Sequence, residues 1–231
     1  MNSDKTPKVI LCGNSTVGKT TLLLRLAKGV FEENVSTTTA CSFSSISYTV
    51  NDKTYFFNAW DTAGQEAYRS LIKIYFRQAN IALIVIDVTQ PNGLDGISDW
   101  VKQIKNGAQE DVIMILVANK IDLDEQRQIS QDDLKITSEK FGFSYIEVSS
   151  KSGEGIKPLL ELLVTSWETI NSSAKKNSFE AIPKETPKTI DLNQSQNQNQ
   201  NQDQNQNQNQ DQNQNQNQDQ NQEATNSSGC C

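Results

Sequence analysis

The chain has 231 residues, a net charge of −7 and no histidine. The acidic balance argues against a nucleic-acid binder, and the missing histidines exclude His-based nucleophile activation and His metal ligands. No stretch is long and apolar enough for a transmembrane helix, the polar start Met1-Asn2-Ser3-Asp4 is unlike a signal peptide, and Cys12, Cys41, Cys230 and Cys231 show neither zinc spacing nor a disulfide framework, so the chain reads as cytosolic.

Residues 1–7 read as a flexible N-terminus and 8–172 as one folded domain. Residues 8–12 form a short apolar strand that feeds a glycine-rich loop, and Leu22, Leu23 and Leu26 give 19–28 helical spacing. Residues 43–50 and 55–60 flank the turn Asn51-Asp52, a hairpin signal. Residues 81–87 and 112–119 are continuous apolar runs, as expected of strands buried on both faces of a parallel sheet. Helical patterns fall at 68–78, 96–107, 131–141 and 156–170, and 144–148 supplies a last strand. The alternation predicts an α/β fold of the P-loop NTPase type. Its sheet is mostly parallel and six-stranded, with helices on both faces and one antiparallel strand. Ligands of such sheets bind at the carboxyl ends of the strands, where the motifs fall.

The string Gly13-Asn14-Ser15-Thr16-Val17-Gly18-Lys19-Thr20 lies between a strand and a helix. Its glycines let backbone N–H groups wrap a phosphate, Lys19 reaches the β- and γ-phosphates, and the Thr20 hydroxyl suits Mg²⁺. That string alone leaves other P-loop NTPases open. In Trp60-Asp61-Thr62-Ala63-Gly64-Gln65-Glu66, Asp61 is placed to hold Mg²⁺, Gly64 to face the γ-phosphate and Gln65 to orient the attacking water. In Asn119-Lys120-Ile121-Asp122, the Asp122 carboxylate can pair with the N1–H and 2-amino group of guanine. Adenine lacks that pair of donors. The three strings in this order describe a magnesium-dependent GTP-binding switch.

These motifs resemble those of the Ras superfamily of small GTPases, and within it the Rab group, over about residues 6–172 and the extreme C-terminus. The resemblance implies a GTP/GDP-binding domain with Ser15 to Thr21 (Ser15, Thr16, Val17, Gly18, Lys19, Thr20 and Thr21) around the phosphates. It implies Thr20, Thr38 and Asp61 around Mg²⁺, with Lys19 and Gln65 serving catalysis. Phe31, Asn119, Lys120 and Asp122 would surround the base. Ser149, Ser150 and Lys151 stand in the family's base loop, where the Ser150 N–H would meet the guanine oxygen.

Trp60, the string Tyr68-Arg69-Ser70-Leu71 and the run Tyr75-Phe76-Arg77-Gln78-Ala79 are closer to Rab than to its cousins. The residues around Thr38–Phe43 and 67–71 lean toward the endocytic branch. Phe43, Trp60 and Tyr75 match the exposed patch through which Rabs read effectors, the alternative being three core aromatics. Thr39-Ala40 and Ala67 depart from the family pattern where its partners dock, and Thr16 replaces a small residue in the phosphate loop. The implied partners are a guanine-nucleotide exchange factor, a GTPase-activating protein, an escort or GDP-dissociation inhibitor, a geranylgeranyl transferase and effectors.

From 173 to 228 the chain is polar and, beyond Asn193, almost wholly Asn and Gln, so it reads as a disordered linker. A spacer of roughly 57 residues has an r.m.s. reach of about 40 Å. It reads as an inert tether or a self-associating segment, and the regularly spaced Asp203, Asp211 and Asp219 favour the tether. Its lysines are outnumbered by acids, so a polybasic anchor is excluded and a second lipid is needed for stable membrane attachment. Gly229-Cys230-Cys231 resembles the double prenylation signal of Rabs. This implies a lipid-anchored protein on the cytosolic face of endomembranes with a cytosolic pool. Rival readings are a nucleotide-locked scaffold, a Ras- or Rho-like GTPase at the plasma membrane, and an Asn/Gln-driven assembly protein.

Overall fold

The computed structural model describes residues 6–33, 35, 38, 41–62 and 74–180, with backbone only for 174–180. Six strands form one sheet: β1 (Lys8–Cys12), β2 (Cys41–Val50), β3 (Lys53–Thr62), β4 (Ile81–Asp87), β5 (Ile113–Asn119) and β6 (Ser144–Glu147). Their order is β2-β3-β1-β4-β5-β6. Only the β2–β3 pair is antiparallel; the pairs β1–β3, β1–β4, β4–β5 and β5–β6 run parallel. The helices are α1 (Lys19–Lys28), α2 (Ile97–Gly107), α3 (Gln131–Phe141) and α4 (Ile156–Glu180).

Side chains on a strand alternate between faces, and β1 shows the consequence. Val9 and Leu11 join Leu22 and Leu23 of α1 and Leu159 and Leu163 of α4 in one apolar core. Ile10 and Cys12 point the other way, into a second core with Trp100 and Ile104 of α2 and Leu134 of α3. Burying both faces requires the unbroken apolar run of β4, all of which is buried.

The β2–β3 turn has positive φ at both Asn51 (50°) and Asp52 (59°), the geometry that matches strand twist in a two-residue hairpin. Helix α3 starts with a reciprocal capping box between Ser130 and Asp133 and stops at Gly142, whose φ is 72°.

The hairpin and the last helix differ from expectation by more than one residue. Strand β2 starts two residues before 43–50 and β3 extends two residues beyond 55–60 at each end, because the ladder pairs every residue from Cys41↔Thr62 to Val50↔Lys53. Helix α4 runs to Glu180, past both the expected end at 170 and the expected linker start at 173. No Gly or Pro occurs between Pro158 and Pro183, so nothing in the covalent chain stops the helix where its apolar stripe ends. Of the expected helix 68–78, only 74–76 is seen as helix; 68–73 lies outside the described residues.

Strand polarity decides where a site can form. Strands β1, β3, β4, β5 and β6 all finish at one edge of the sheet, bringing the glycine loop, Asp61, Asp87, Asn119 and the loop after Glu147 together. Antiparallel β2 begins there, just after Thr38.

Candidate nucleotide site

The phosphate end starts at Gly13, whose φ is 136° and where a Cβ would lie 2.1 Å from the Val85 carbonyl oxygen of β4. Glycine is therefore required for β1 to turn against its neighbour. Thr16 also has positive φ (64°), unusual for a β-branched residue, and its hydroxyl donates to the Ser15 carbonyl at 2.6 Å. Buried Lys19 opens α1 and donates from Nζ to the carbonyls of Gly13 (3.0 Å) and Asn14 (2.8 Å). Burial pulls its pKa down, against the opposing charge of Asp61.

Three oxygen-bearing side chains from three segments meet beside Lys19. Thr20 Oγ1 donates to Asp61 Oδ2 at 2.5 Å and lies 2.7 Å from Thr38 Oγ1, which donates to the same carboxylate oxygen at 3.1 Å. Asp61 is fully buried, and its Oδ1 has no hydrogen-bond partner among the described residues. Burial raises its pKa, outweighing the Thr20 hydrogen bond, the Lys19 charge and the Thr38 hydrogen bond. An orphaned carboxylate oxygen beside two hydroxyls is a hard-oxygen set that fits Mg²⁺, which usually takes one or two carboxylates and completes its shell from phosphate and water.

The base end is built differently. Asn119, at the end of β5, donates from Nδ2 to the Val17 carbonyl of the phosphate loop at 2.9 Å. Its Oδ1 accepts from Ser150 N (3.1 Å) and Ser150 Oγ (3.0 Å). The Ser150 N–H assigned to guanine is thus engaged by Asn119 in this structure, because both amide atoms of Asn119 are buried and need partners. Asn119 also explains Gly18, where a Cβ would come within 2.5 Å of Nδ2. Ser149 Oγ donates to Asp122 Oδ1 at 2.5 Å, orienting an otherwise exposed carboxylate, and accepts from Ser152 N at 2.9 Å.

Sequence reasoning passed over Asp87. It is almost fully buried at the end of β4 and pairs with Lys120 Nζ at 2.7 Å. It also accepts from Thr89 N and Oγ1 at 2.9 and 2.7 Å. Burial alone would raise its pKa, but the bonds from Lys120 and Thr89 together hold it below the ordinary carboxylate range. The one available signal was an acid closing a wholly apolar strand.

Phe31 is half-buried just past α1, Thr21 lies in the first turn of that helix, and Lys151 is exposed. The aromatic trio comes together: Phe43 and Trp60 face each other across β2–β3 with ring centroids 5.2 Å apart, and Trp60 and Tyr75 lie 6.1 Å apart. Phe43 is 53% exposed, so the trio is not a closed core cluster. Gly64, Gln65, Cys230 and Cys231 lie outside the described residues.

A glycine loop between strand and helix, at the carboxyl edge of a parallel sheet, defines a P-loop nucleotide-binding protein. A family model described as "Ras family" matches residues 8–169. Over 150 residues the chain is 37% identical to the Ras-related protein RabJ of Dictyostelium discoideum, covering 65% of this chain and 59% of that protein. It is 34% identical over 152 residues to the Ras-related protein Rab5 of Nicotiana tabacum (66% and 76% of the two chains). It is also 34% identical over 170 residues to Rab11A of Lotus japonicus (74% of each). The chain belongs to the Ras family and is a small GTPase of the Rab type.

Proposed function

We propose that this GTPase is a magnesium-dependent switch that binds GTP and GDP and hydrolyses GTP slowly until an activating protein assists. The observation that carries this reading is the meeting of Thr20, Thr38 and Asp61 within 2.5–3.1 Å beside Lys19. Those three would hold Mg²⁺, which when bound neutralises charge on the β- and γ-phosphates. Lys19 supplies a second positive charge, backbone N–H groups of the loop cradle the phosphates, and Gln65 orients the hydrolytic water. Asp122, steadied by Ser149, selects guanine.

Binding of the triphosphate couples to partner choice through Thr38. Thr38 donates to Asp61 beside Thr20 and precedes the strand that carries Phe43, whose ring packs on Trp60. Effectors that contact Phe43, Trp60 and Tyr75 therefore select the state in which that segment is fixed. The reading extends to a Rab-like regulator of vesicle traffic on the cytosolic face of an endosome or other endomembrane. It is anchored by lipids on Cys230 and Cys231 and served by an exchange factor, an activating protein, an escort or GDP-dissociation inhibitor and a geranylgeranyl transferase.

Competition binding on the purified full chain tests the core of this. GTP and GDP should resist displacement by a roughly hundredfold excess of ATP, since a mismatched base leaves the Asp122 carboxylate unpaired. Chelation of Mg²⁺ should speed nucleotide release. Equal competition by ATP, or indifference to the chelator, overturns the reading.

A further inference from the structure

Helix α1 carries, one turn before its end, a side chain that no part of the site described so far uses. Arg25 extends to the loop after β6 and donates from Nε to the Ser150 carbonyl at 2.9 Å and from Nη2 to the Lys151 carbonyl at 2.6 Å. Its remaining arm, Nη1, donates to the Gly29 carbonyl at 2.7 Å. Gly29 N–H returns a bond to the Arg25 carbonyl at 3.0 Å, closing the helix with Gly29 at φ 70°. One planar fork thus holds carbonyls of two loops separated by more than a hundred residues of sequence. Only guanidinium presents N–H groups in a rigid plane suited to such a span.

Ser150 is gripped from both sides. Its N–H and hydroxyl go to Asn119 Oδ1, and its carbonyl goes to Arg25. Asn119 in turn holds Val17 of the phosphate loop, and Arg25 sits on the helix that opens with Lys19 and Thr20. The six helical steps from Lys19 to Arg25 make a bar of about 9 Å. The base loop is therefore referenced to the phosphate loop by two independent struts, Asn119 and the α1–Arg25 bar.

We infer that Arg25 is a positioning residue for the nucleotide base. It fixes the Ser150–Lys151 backbone relative to α1, so that base and phosphates are gripped at a set separation. This rests on the reading of 149–151 as the guanine loop. A plainer role would be to neutralise the carbonyl end of α1, where any cation serves. The two roles differ in what a lysine can do. Lysine keeps the charge at the helix end but cannot span Ser150, Lys151 and Gly29 together.

The test uses the full chain loaded with a fluorescent GDP analogue, measuring its release into excess GDP for wild type, Arg25→Gln and Arg25→Lys. Losing charge-assisted bonds to the base loop should speed release about tenfold or more in Arg25→Gln, and Arg25→Lys should lie closer to Arg25→Gln than to wild type. The acceleration should persist at a similar factor after Mg²⁺ is chelated, because the base end is affected and not the metal end. Release from Arg25→Lys within about twofold of wild type would overturn the inference and leave Arg25 as a helix-end charge. An acceleration that disappears on chelation would also overturn it. If Arg25→Gln fails to fold, Arg25→Lys carries the same decision alone. Failure of wild type to retain GDP would instead sink the guanine reading itself, a result distinct from either.

Discussion

The two ends of the nucleotide site are built on opposite plans. At the base end the buried polar side chains have protein partners, Asn119 in Val17 and Ser150 and Asp87 in Lys120 and Thr89, and the exposed Asp122 carboxylate is oriented by Ser149. At the phosphate end Asp61 is buried with one oxygen unpartnered among the described residues, and two threonine hydroxyls crowd the other. A satisfied network is rigid without a ligand, whereas a buried carboxylate lacking a partner is costly until a cation arrives. The Asn119 end is thus braced by the protein's own contacts. The Asp61 end keeps one oxygen without a partner among the described residues, which is what the proposed metal role would use.

The strongest way to break this contrast is at Asn119. Asn119→Ala removes one donor and one acceptor that serve buried groups on two loops, and should cost about 3 kcal/mol of stability in the nucleotide-free protein. Denaturant unfolding measures it. A loss below about 1 kcal/mol would mean that the base end is no better fixed than an ordinary surface loop.

A smaller effect is expected at Asp87. Asp87→Asn should destabilise by about 2 kcal/mol at neutral pH by leaving Lys120 without its carboxylate. The folded-state pKa of Asp87 lies below the ordinary value. Its contribution is therefore present above the unfolded pKa of about 4 and fades as pH falls through the lower folded value. The stability gap between wild type and Asp87→Asn should close on acidification, as thermal melts across that range would show. A gap independent of pH would remove the charge from the explanation.

The smallest change, and the one of differing sign, belongs to the phosphate end. Asp61→Asn removes a buried charge that burial already disfavours, so the nucleotide-free melting point should hold steady or rise by no more than about 1 kcal/mol equivalent. The same variant should lose the dependence of nucleotide retention on Mg²⁺. If Asp61→Asn instead destabilised the empty protein as much as Asn119→Ala, the two ends would not differ in kind.

Much of this was legible beforehand because it is local. The strands 8–12 and 81–87, the helices 19–28 and 131–141 and the Asn51-Asp52 turn follow from periodicity and turn chemistry within a few residues. Thr38 was singled out through family spacing, and it lies beside Thr20 and Asp61. Asp87 was not, because an acid closing an apolar strand looks the same whether it faces water or a lysine. Arg25 was equally silent, since one more cation in the last turn of a helix is commonplace.

Composition, motif order and short-range pattern were enough for the fold class and the phosphate loop, which depend on neighbours in the chain. Only the folded sheet decided how those parts are braced. Asn119 and Val17 are 102 residues apart, and Arg25 and Lys151 126. Such pairs exist because β1 and β5 flank β4 and because five strands end at one edge. A long-range hydrogen bond needs both partners delivered to within about 3 Å, and strand order is what delivers them.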